Sequence, residues 1–232
     1  MIFKIQKIYI NNISVFLFLP YNIYKGGIIL KYGVFLIMLL ILMGCSSNSP
    51  AGTLSDKDTN PNVNIIKEVE PDWLKHHYLS DNMDRGNHDY YDQVLVIDPT
   101  VIPSSYTRGD IVFFSNSTND QMISRVIALP GEKVSISDGQ IFINNKKLDA
   151  FYGKAHRLGF DKNSYFPAMD KAGIEYNKEG MMDTFNTSMK ERELSENEYF
   201  VVSDDWMRGT MQPLEQGDII GKVLGYQYGY KN

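Results

Sequence analysis

The sequence predicts a mostly β fold that is interrupted by one inserted polar segment. From residue 93 onward, short apolar and β-branched segments alternate with Gly, Pro and Asp turn signals, a spacing typical of β domains. The clearest case is a predicted hairpin, in which Val134 and Ile136 alternate with polar residues before an Asp138-Gly139 turn. Residues 150–198 are polar and lack this alternation, so we assign them to an inserted cap subdomain with a short helix.

The β core is predicted from its strands in chain order. Gly109 opens one strand with a turn signal, and Pro130-Gly131 closes the next. A chain of 232 residues is long enough for one sizeable core, which we assign to residues 71–149 and 199–232. The predicted strands are residues 93–98, 110–115, 122–129, 133–137, 140–144, 199–203 and 219–228.

The first 44 residues are predicted to form a signal or anchor segment. Residues 33–44 are apolar, follow Lys31 and are about as long as the apolar part of a signal peptide. The Leu-Met-Gly-Cys sequence that ends at Cys45 resembles a bacterial lipobox, which implies that Cys45 is lipidated and anchored by its acyl chains. The alternative is an uncleaved membrane helix. Residues 1–29 make the signal unusually long, and we hypothesise that translation starts near Leu30.

Residues 45–70 are predicted to be the lipidated cysteine and a flexible tether. They are rich in Ser, Asn, Asp, Pro and Thr and show little apolar periodicity. We therefore expect the folded domain to begin near residue 71, just before Trp73.

Charge, cysteine and histidine content exclude several function classes. The formal net charge is -5, and it becomes -9 after residue 44, where 28 acidic residues face 19 basic ones. This balance excludes a nucleic-acid partner, which requires a basic surface. The single cysteine rules out an internal disulfide, and the four histidines lack metal-ligand spacing. We therefore predict neither a metal nor another cofactor.

Six segments, in the same order along the chain, resemble the type I signal peptidases, which are S26-type serine endopeptidases. The most specific match begins at Arg125, where Arg-Val-Ile-Ala-Leu-Pro-Gly-Glu is similar to the family's Arg-Val-Ile-x-Leu-Pro-Gly-Asp. The resemblance implies a signal-peptidase-like β fold and a membrane-associated peptidase ancestry. The matching segments are residues 79–83, 92–96, 108–113, 125–144, 199–205 and 218–223.

The resemblance breaks down at the positions that carry the family's chemistry. The family uses a serine nucleophile and a desolvated lysine as its base. Here Asn82 stands at the nucleophile position and Ser124 at the base position, and neither side chain titrates near neutral pH. The resemblance implies that Ser80 is a remnant of the oxyanion hole and that Asp204 matches an aspartate of the family's last box. The sequence therefore predicts a catalytically inactive member.

Three functions remain open at this stage. The first is an inactive domain, anchored on the outer face of the bacterial cytoplasmic membrane, that binds extended signal-peptide segments by strand addition or regulates an active signal peptidase. The second is an active serine endopeptidase with a divergent dyad, in which Ser80 is the nucleophile and Lys75 or Lys133 is the base. The third is a surface lipoprotein that uses residues 150–198 to bind an unrelated partner.

Overall fold

A computed structural model describes residues 3–10, 13–20, 51–116, 118 and 120–227. The chain divides into two compact units, residues 1–48 and 49–232. In the first unit, strands β1 (Phe3–Ile10) and β2 (Ile13–Pro20) pair antiparallel. The predicted lipobox and Cys45 lie outside the described residues. Within the ranges given above, no helix has both the length and the apolar composition needed to cross a membrane.

The second unit is mostly β, as predicted. Its strands are β3 (Thr53–Ser55), β4 (Ile65–Ile66), β5 (Leu74–Tyr78), β6 (Gln93–Asp98), β7 (Ile111–Ser115), β8 (Gln121–Ala128), β9 (Lys133–Ser137), β10 (Gln140–Ile143), β11 (Lys146–Asp149), β12 (Met189–Glu193), β13 (Glu198–Val202), β14 (Met211–Glu215) and β15 (Ile219–Gln227).

Two sheets are built from these strands. The larger sheet follows the order β14-β13-β8-β7-β15-β6-β5, with β4 paired to β15, and the smaller one follows the order β12-β9-β10-β11-β3. The predicted hairpin is present as β9 and β10. Its turn residues Asp138 and Gly139 both have positive φ angles, of 47° and 74°, as a tight two-residue hairpin turn requires.

Apolar side chains of successive residues point to opposite faces of the larger sheet, and both faces are buried. In β7, Ile111 and Phe113 enter one buried cluster, whereas Val112 and Phe114 enter another on the opposite face. A third cluster joins the smaller sheet to β8 and β13, because Ile141 and Ile143 pack with Ile127, Phe200 and their neighbours. In the segment that follows β5, Met83 and Tyr90 belong to the same buried cluster as Ile123 of β8.

The predicted flexible tether is corrected for residues 51–70. This segment contributes β3, which pairs in parallel with β11, and β4, which pairs in parallel with β15. The Asp56 carboxylate accepts hydrogen bonds from Thr59 and from the Tyr152 hydroxyl. The segment is polar because backbone and side-chain hydrogen bonds, and not an apolar stripe, attach it to the domain.

The inserted segment 150–198 contains two helices, where a short helix was predicted. They are α1 (Lys162–Ala172), capped by Asp161, and α2 (Lys178–Phe185), capped by Asn177. Tyr165, Met169, Met181 and Phe185 form an apolar cluster between them. The segment does not stand off the core entirely, since its β12 pairs with β9 in the smaller sheet.

Candidate functional site

Three parts of the chain meet at the site. They are the loop after β5, which carries Ser80 and Asn82, the middle of β8, which carries Ser124, and the turn from β13 to β14, which carries Ser203. Asn82 and Ser124 are both 0% exposed. The two positions that correspond to a nucleophile and a base are therefore closed to solvent.

The Asn82 amide uses all of its hydrogen-bonding capacity. Its oxygen accepts from the Tyr78 hydroxyl at 2.7 Å and from the Ser80 hydroxyl at 3.4 Å. Its nitrogen donates to the Ile123 carbonyl at 2.7 Å and to Ser203 Oγ at 2.9 Å. An amide has two donors and two acceptor sites, so none remains for a substrate. Asn82 cross-links the loop to β8 and to the end of β13.

The hydroxyl groups beyond Asn82 form a chain with a defined direction. Ser203 Oγ accepts from Asn82 Nδ2 and, at 3.1 Å, from the backbone N–H of Thr210. Because both of its lone pairs are then occupied, the Ser203 hydroxyl donates its own proton to Ser124 Oγ, 3.0 Å away. Ser124 in turn lies 3.4 Å from Thr210 Oγ1. This network contains no group that could accept a proton from a nucleophile at neutral pH.

Ser80 lacks a partner that could activate it. Its described hydrogen bonds are to Asn82, and none of the lysines in the described ranges bonds to it. Lys133 lies 3.5 Å from Glu193 on the surface, and Lys75 is exposed on β5. The geometry thus provides no support for either lysine as the base of a divergent dyad.

Asp204 lies beside the network as a structural anchor. Its carboxylate binds Arg125 in a bidentate pair with distances of 2.8 and 2.5 Å, and Arg125 also donates to the Gly109 carbonyl at 2.8 Å. Burial opposes the charge of Arg125, but Asp204 more than offsets this and raises the arginine pKa. The pair joins β8 to the end of β13, and so fixes the backbone on either side of Ser124 and Ser203.

Asp205 organises the turn that covers the network. Its Oδ1 accepts from the backbone N–H groups of Met207 and Arg208, and its Oδ2 accepts from Arg157 and the Leu158 N–H. Its own N–H donates to the Asn82 carbonyl at 2.9 Å. Burial raises the pKa of Asp205, and the Arg157 guanidinium opposes that shift.

Cationic groups accumulate behind the site. Arg85 stacks on Phe151 at 4.4 Å, and Arg125 lies 4.9 Å from the same ring. His156 is buried nearby, and burial together with Arg85 lowers its pKa to about 4. The described residues contain no group of three His, Cys, Asp or Glu that could hold a metal.

The structure brings four of the predicted site residues into one region. Asn82, Ser124 and Ser80 belong to the network, and Asp204 lies next to it; the predicted lipidation site lies outside the described residues. Sequence reasoning missed Tyr78, Ser203 and Thr210. Ser203 had a signal, because it stands where the family's last box has glycine. No sequence signal pointed to Tyr78 or Thr210, because only the fold brings these residues to β8.

The fold and site together define a mostly β domain in which an amide, Asn82, and a hydroxyl, Ser124, stand at the two positions that the resemblance assigns to a nucleophile and a base. The family model described as signal peptidase, peptidase S26, matches residues 30–223. The chain therefore belongs to the signal peptidase family, peptidase S26.

Individual relatives match shorter stretches. Signal peptidase I of Rickettsia akari is 36% identical over 62 residues, which are 26% of this chain and 23% of the relative. Signal peptidase I of Bacillus amyloliquefaciens is 34% identical over 62 residues, which are 27% of this chain and 33% of the relative. The matches thus span a third or less of these relatives. A solved signal peptidase I from Enterococcus faecalis is 21% identical, with 51% of this chain and 96% of that chain covered and a TM-score of 0.35.

Proposed function

We propose that this chain is a signal peptidase homologue that binds extended peptide segments without cleaving them. The observation that carries the proposal is the saturated, fully buried network at Asn82 and Ser124. Nucleophilic cleavage needs a deprotonated oxygen that reaches the substrate carbonyl, within about 3–3.5 Å. Neither position provides one.

The loss of both dyad members removes most of the rate. In a serine peptidase, deletion of one member of the catalytic unit lowers kcat by on the order of 10⁴–10⁶. Ser80 keeps the position of an oxyanion-site hydroxyl, but it lies against the Asn82 amide and has no base beside it. A remnant oxyanion site can hold a carbonyl oxygen without promoting attack on it.

Two free sheet edges border the site and support binding by strand addition. Each of β5 and β14 pairs with a single neighbour among the described strands. β5 ends at Tyr78, which bonds Asn82, and β14 starts directly after Thr210, which contacts Ser124. An extended peptide can pair its backbone with such an edge, and the unused N–H and C=O groups supply the affinity.

The proposed location is the outer face of the bacterial cytoplasmic membrane. It is supported by the lipobox-like sequence at Cys45 and by the apolar run before it. At that surface the domain would meet signal-peptide segments and active signal peptidases. We propose peptide binding there as the route by which it influences signal-peptide processing.

The test measures cleavage and binding with the full chain in lipid nanodiscs. A synthetic signal-peptide segment is incubated with the wild type and with Ser80→Ala, and products are sought by mass spectrometry. The NMR chemical shifts of the backbone amides are recorded before and after the same peptide is added. We expect no cleavage by either protein, shifts along β5 or β14, and none along the edge strand β12, which is the internal control.

Two outcomes would contradict the proposal. Cleavage by the wild type that disappears in Ser80→Ala would show an active peptidase with a divergent dyad. Absence of amide shifts along β5 and β14 at saturating peptide would show that these two sheet edges do not bind the peptide.

A further inference from the structure

A cavity is lined by the two helices of the inserted segment, by Arg157 and Leu158, and by Met207 of the turn between β13 and β14. It has a volume of about 400 Å³, and its walls are mainly apolar. Met169 and Met181 form its floor from the two helices, and Ile174 and Met207 stand at its rim with 52% and 56% of their surface exposed. Methionine side chains are flexible and polarisable, so such a wall adapts to different apolar groups.

The cavity has one polar wall that carries unused donors. The Arg157 side chain is 10% exposed and binds Asp205 through one terminal nitrogen. Its Nε has no hydrogen-bond partner within the described ranges but is fully buried, so only the terminal nitrogens can donate to a ligand in the cavity. A guanidinium has five N–H donors, so Arg157 presents more donors than its carboxylate partner uses.

The charges around Arg157 select the kind of acceptor. Arg157 and Asp205 form a net neutral pair, and Glu175 is a further acidic group among the lining residues. With Glu175 included, these three groups carry one net negative charge, which disfavours an anionic head group, whereas a neutral peptide carbonyl can accept from the remaining donors. The cavity therefore favours a polypeptide over a fatty acid.

The cavity is connected to the proposed peptide site through the chain. Met207, at its rim, belongs to the turn that Asp205 organises and that leads into the edge strand β14. The same turn bonds the Asn82 carbonyl through the Asp205 N–H. Met207 is thus four residues before Met211, the first residue of β14.

We infer that this cavity is a specificity pocket that takes one apolar side chain of a bound polypeptide, with Arg157 donating to an adjacent peptide carbonyl. The inference rests on the proposed peptide-binding function. It adds a requirement for a large apolar residue in the ligand, and it assigns that selection to the inserted segment.

The experiment uses the full chain in nanodiscs with ¹³C-labelled methionine methyl groups and ¹⁵N-labelled backbone amides. The probes are a short capped peptide of alternating Leu and Ser, the same peptide with Ala for Leu, and decanoate. We expect the Leu peptide to shift the methyl signals of Met169, Met181 and Met207. Ile174→Asp, a variant at the exposed rim, should weaken binding of the Leu peptide by about tenfold to a hundredfold, because one apolar contact surface is then lost.

The control variant and the other probes separate the possible failures. Ile102→Asp changes another exposed isoleucine, 67% exposed and outside the cavity, and should leave the affinity unchanged. Shifts along β5 or β14 with silent methionine methyls and a silent Ile174→Asp would overturn the pocket and leave the proposed function standing. The pocket would also be overturned if the Ala peptide bound as tightly as the Leu peptide. The same holds if decanoate shifted the methionine methyl signals and the Leu peptide did not. No shift anywhere would overturn both proposals.

Discussion

At the scale of single residues, Asn82 has a structural role. A serine at this position could make one donation, whereas the amide connects Tyr78, Ile123 and Ser203 at once. Buried polar groups are tolerated only when their partners are complete, and here they are. The residue that resembles a lost nucleophile is therefore a cross-link between the loop after β5 and the sheet.

Removal of this cross-link should destabilise the domain strongly. Asn82→Ala removes the hydrogen bonds that the buried Ile123 carbonyl, Ser203 hydroxyl and Tyr78 hydroxyl each make to the amide, and we expect a loss of roughly 2–4 kcal/mol in the free energy of unfolding. Urea denaturation measures it. The exposed Asn163→Ala is the matched control, with an expected change within about 0.5 kcal/mol. Equal midpoints for the two variants would contradict the cross-link.

His156 should make the stability depend on pH. Burial, then Arg85 and Lys154, lower its pKa to about 4, while Asp204 and a hydrogen bond to the Lys154 carbonyl oppose the shift. Between pH 4 and 6.5 the unfolded chain binds a proton that the folded chain does not, so stability rises with pH there and is lost as pH falls.

The expected size follows from the pKa difference. From pH 7 to pH 5 this residue should cost about 2 kcal/mol of stability. Urea midpoints of the wild type and His156→Gln at both pH values measure it, with His77→Gln as the surface control. If His156→Gln loses as much stability between pH 7 and pH 5 as the wild type does, the histidine is not held neutral.

At the scale of elements, the segment before β5 is part of the fold. Gly109, with φ of 91°, passes so close to this segment that an added Cβ would lie 2.0 Å from Thr59 Oγ1. Val63 packs against the cluster beneath β7. The strap formed by residues 56–64 is therefore seated on the larger sheet by close contact as well as by the pairing of β3 and β4.

The close contact between Gly109 and residues 56–64 can be tested by adding one methyl group at Gly109. Gly109→Ala combines the strain of a positive φ with the collision against Thr59, whereas Gly131→Ala has a positive φ of 76° and open space. We expect about 1 kcal/mol of destabilisation for Gly131→Ala and roughly 2–4 kcal/mol for Gly109→Ala. Thr59→Ala should recover part of the loss in the Gly109→Ala background only. Equal effects of the two glycine variants would show that the strap is not held there.

Sequence patterns identified some elements and missed others for physical reasons. β6 was predicted from its run of apolar and β-branched residues, and the β9–β10 hairpin because its apolar residues repeat with the period of a strand. β3 and β4 were missed because they are two or three residues long and pair in parallel with distant strands, which leaves no local pattern. In the same way, Asn82 and Ser124 could be found from linear motifs, whereas Tyr78 and Thr210 join them only through packing.

At the scale of the whole molecule, a buried ion pair and a hydrogen-bonded turn surround two positions that are closed to solvent. The Arg125–Asp204 pair joins β8 to the end of β13, and the turn organised by Asp205 bonds the Asn82 carbonyl. Arg208 of that turn also pairs with Asp81 of the loop after β5. The two loops are therefore joined to each other as well as to the sheet.

Restoration of the dyad alone should consequently fail to restore cleavage. In the variant Asn82→Ser with Ser124→Lys, burial would lower the pKa of the new lysine, as dyad chemistry requires. The new serine would still occupy a position with no exposed surface, beneath a turn that the Asp205 hydrogen bonds hold in place. We expect no product from a signal-peptide substrate by mass spectrometry, with near-UV circular dichroism as the check that the variant is folded. Cleavage by the folded double variant would show that the two loops open in solution and that side chains at positions 82 and 124 can reach a substrate.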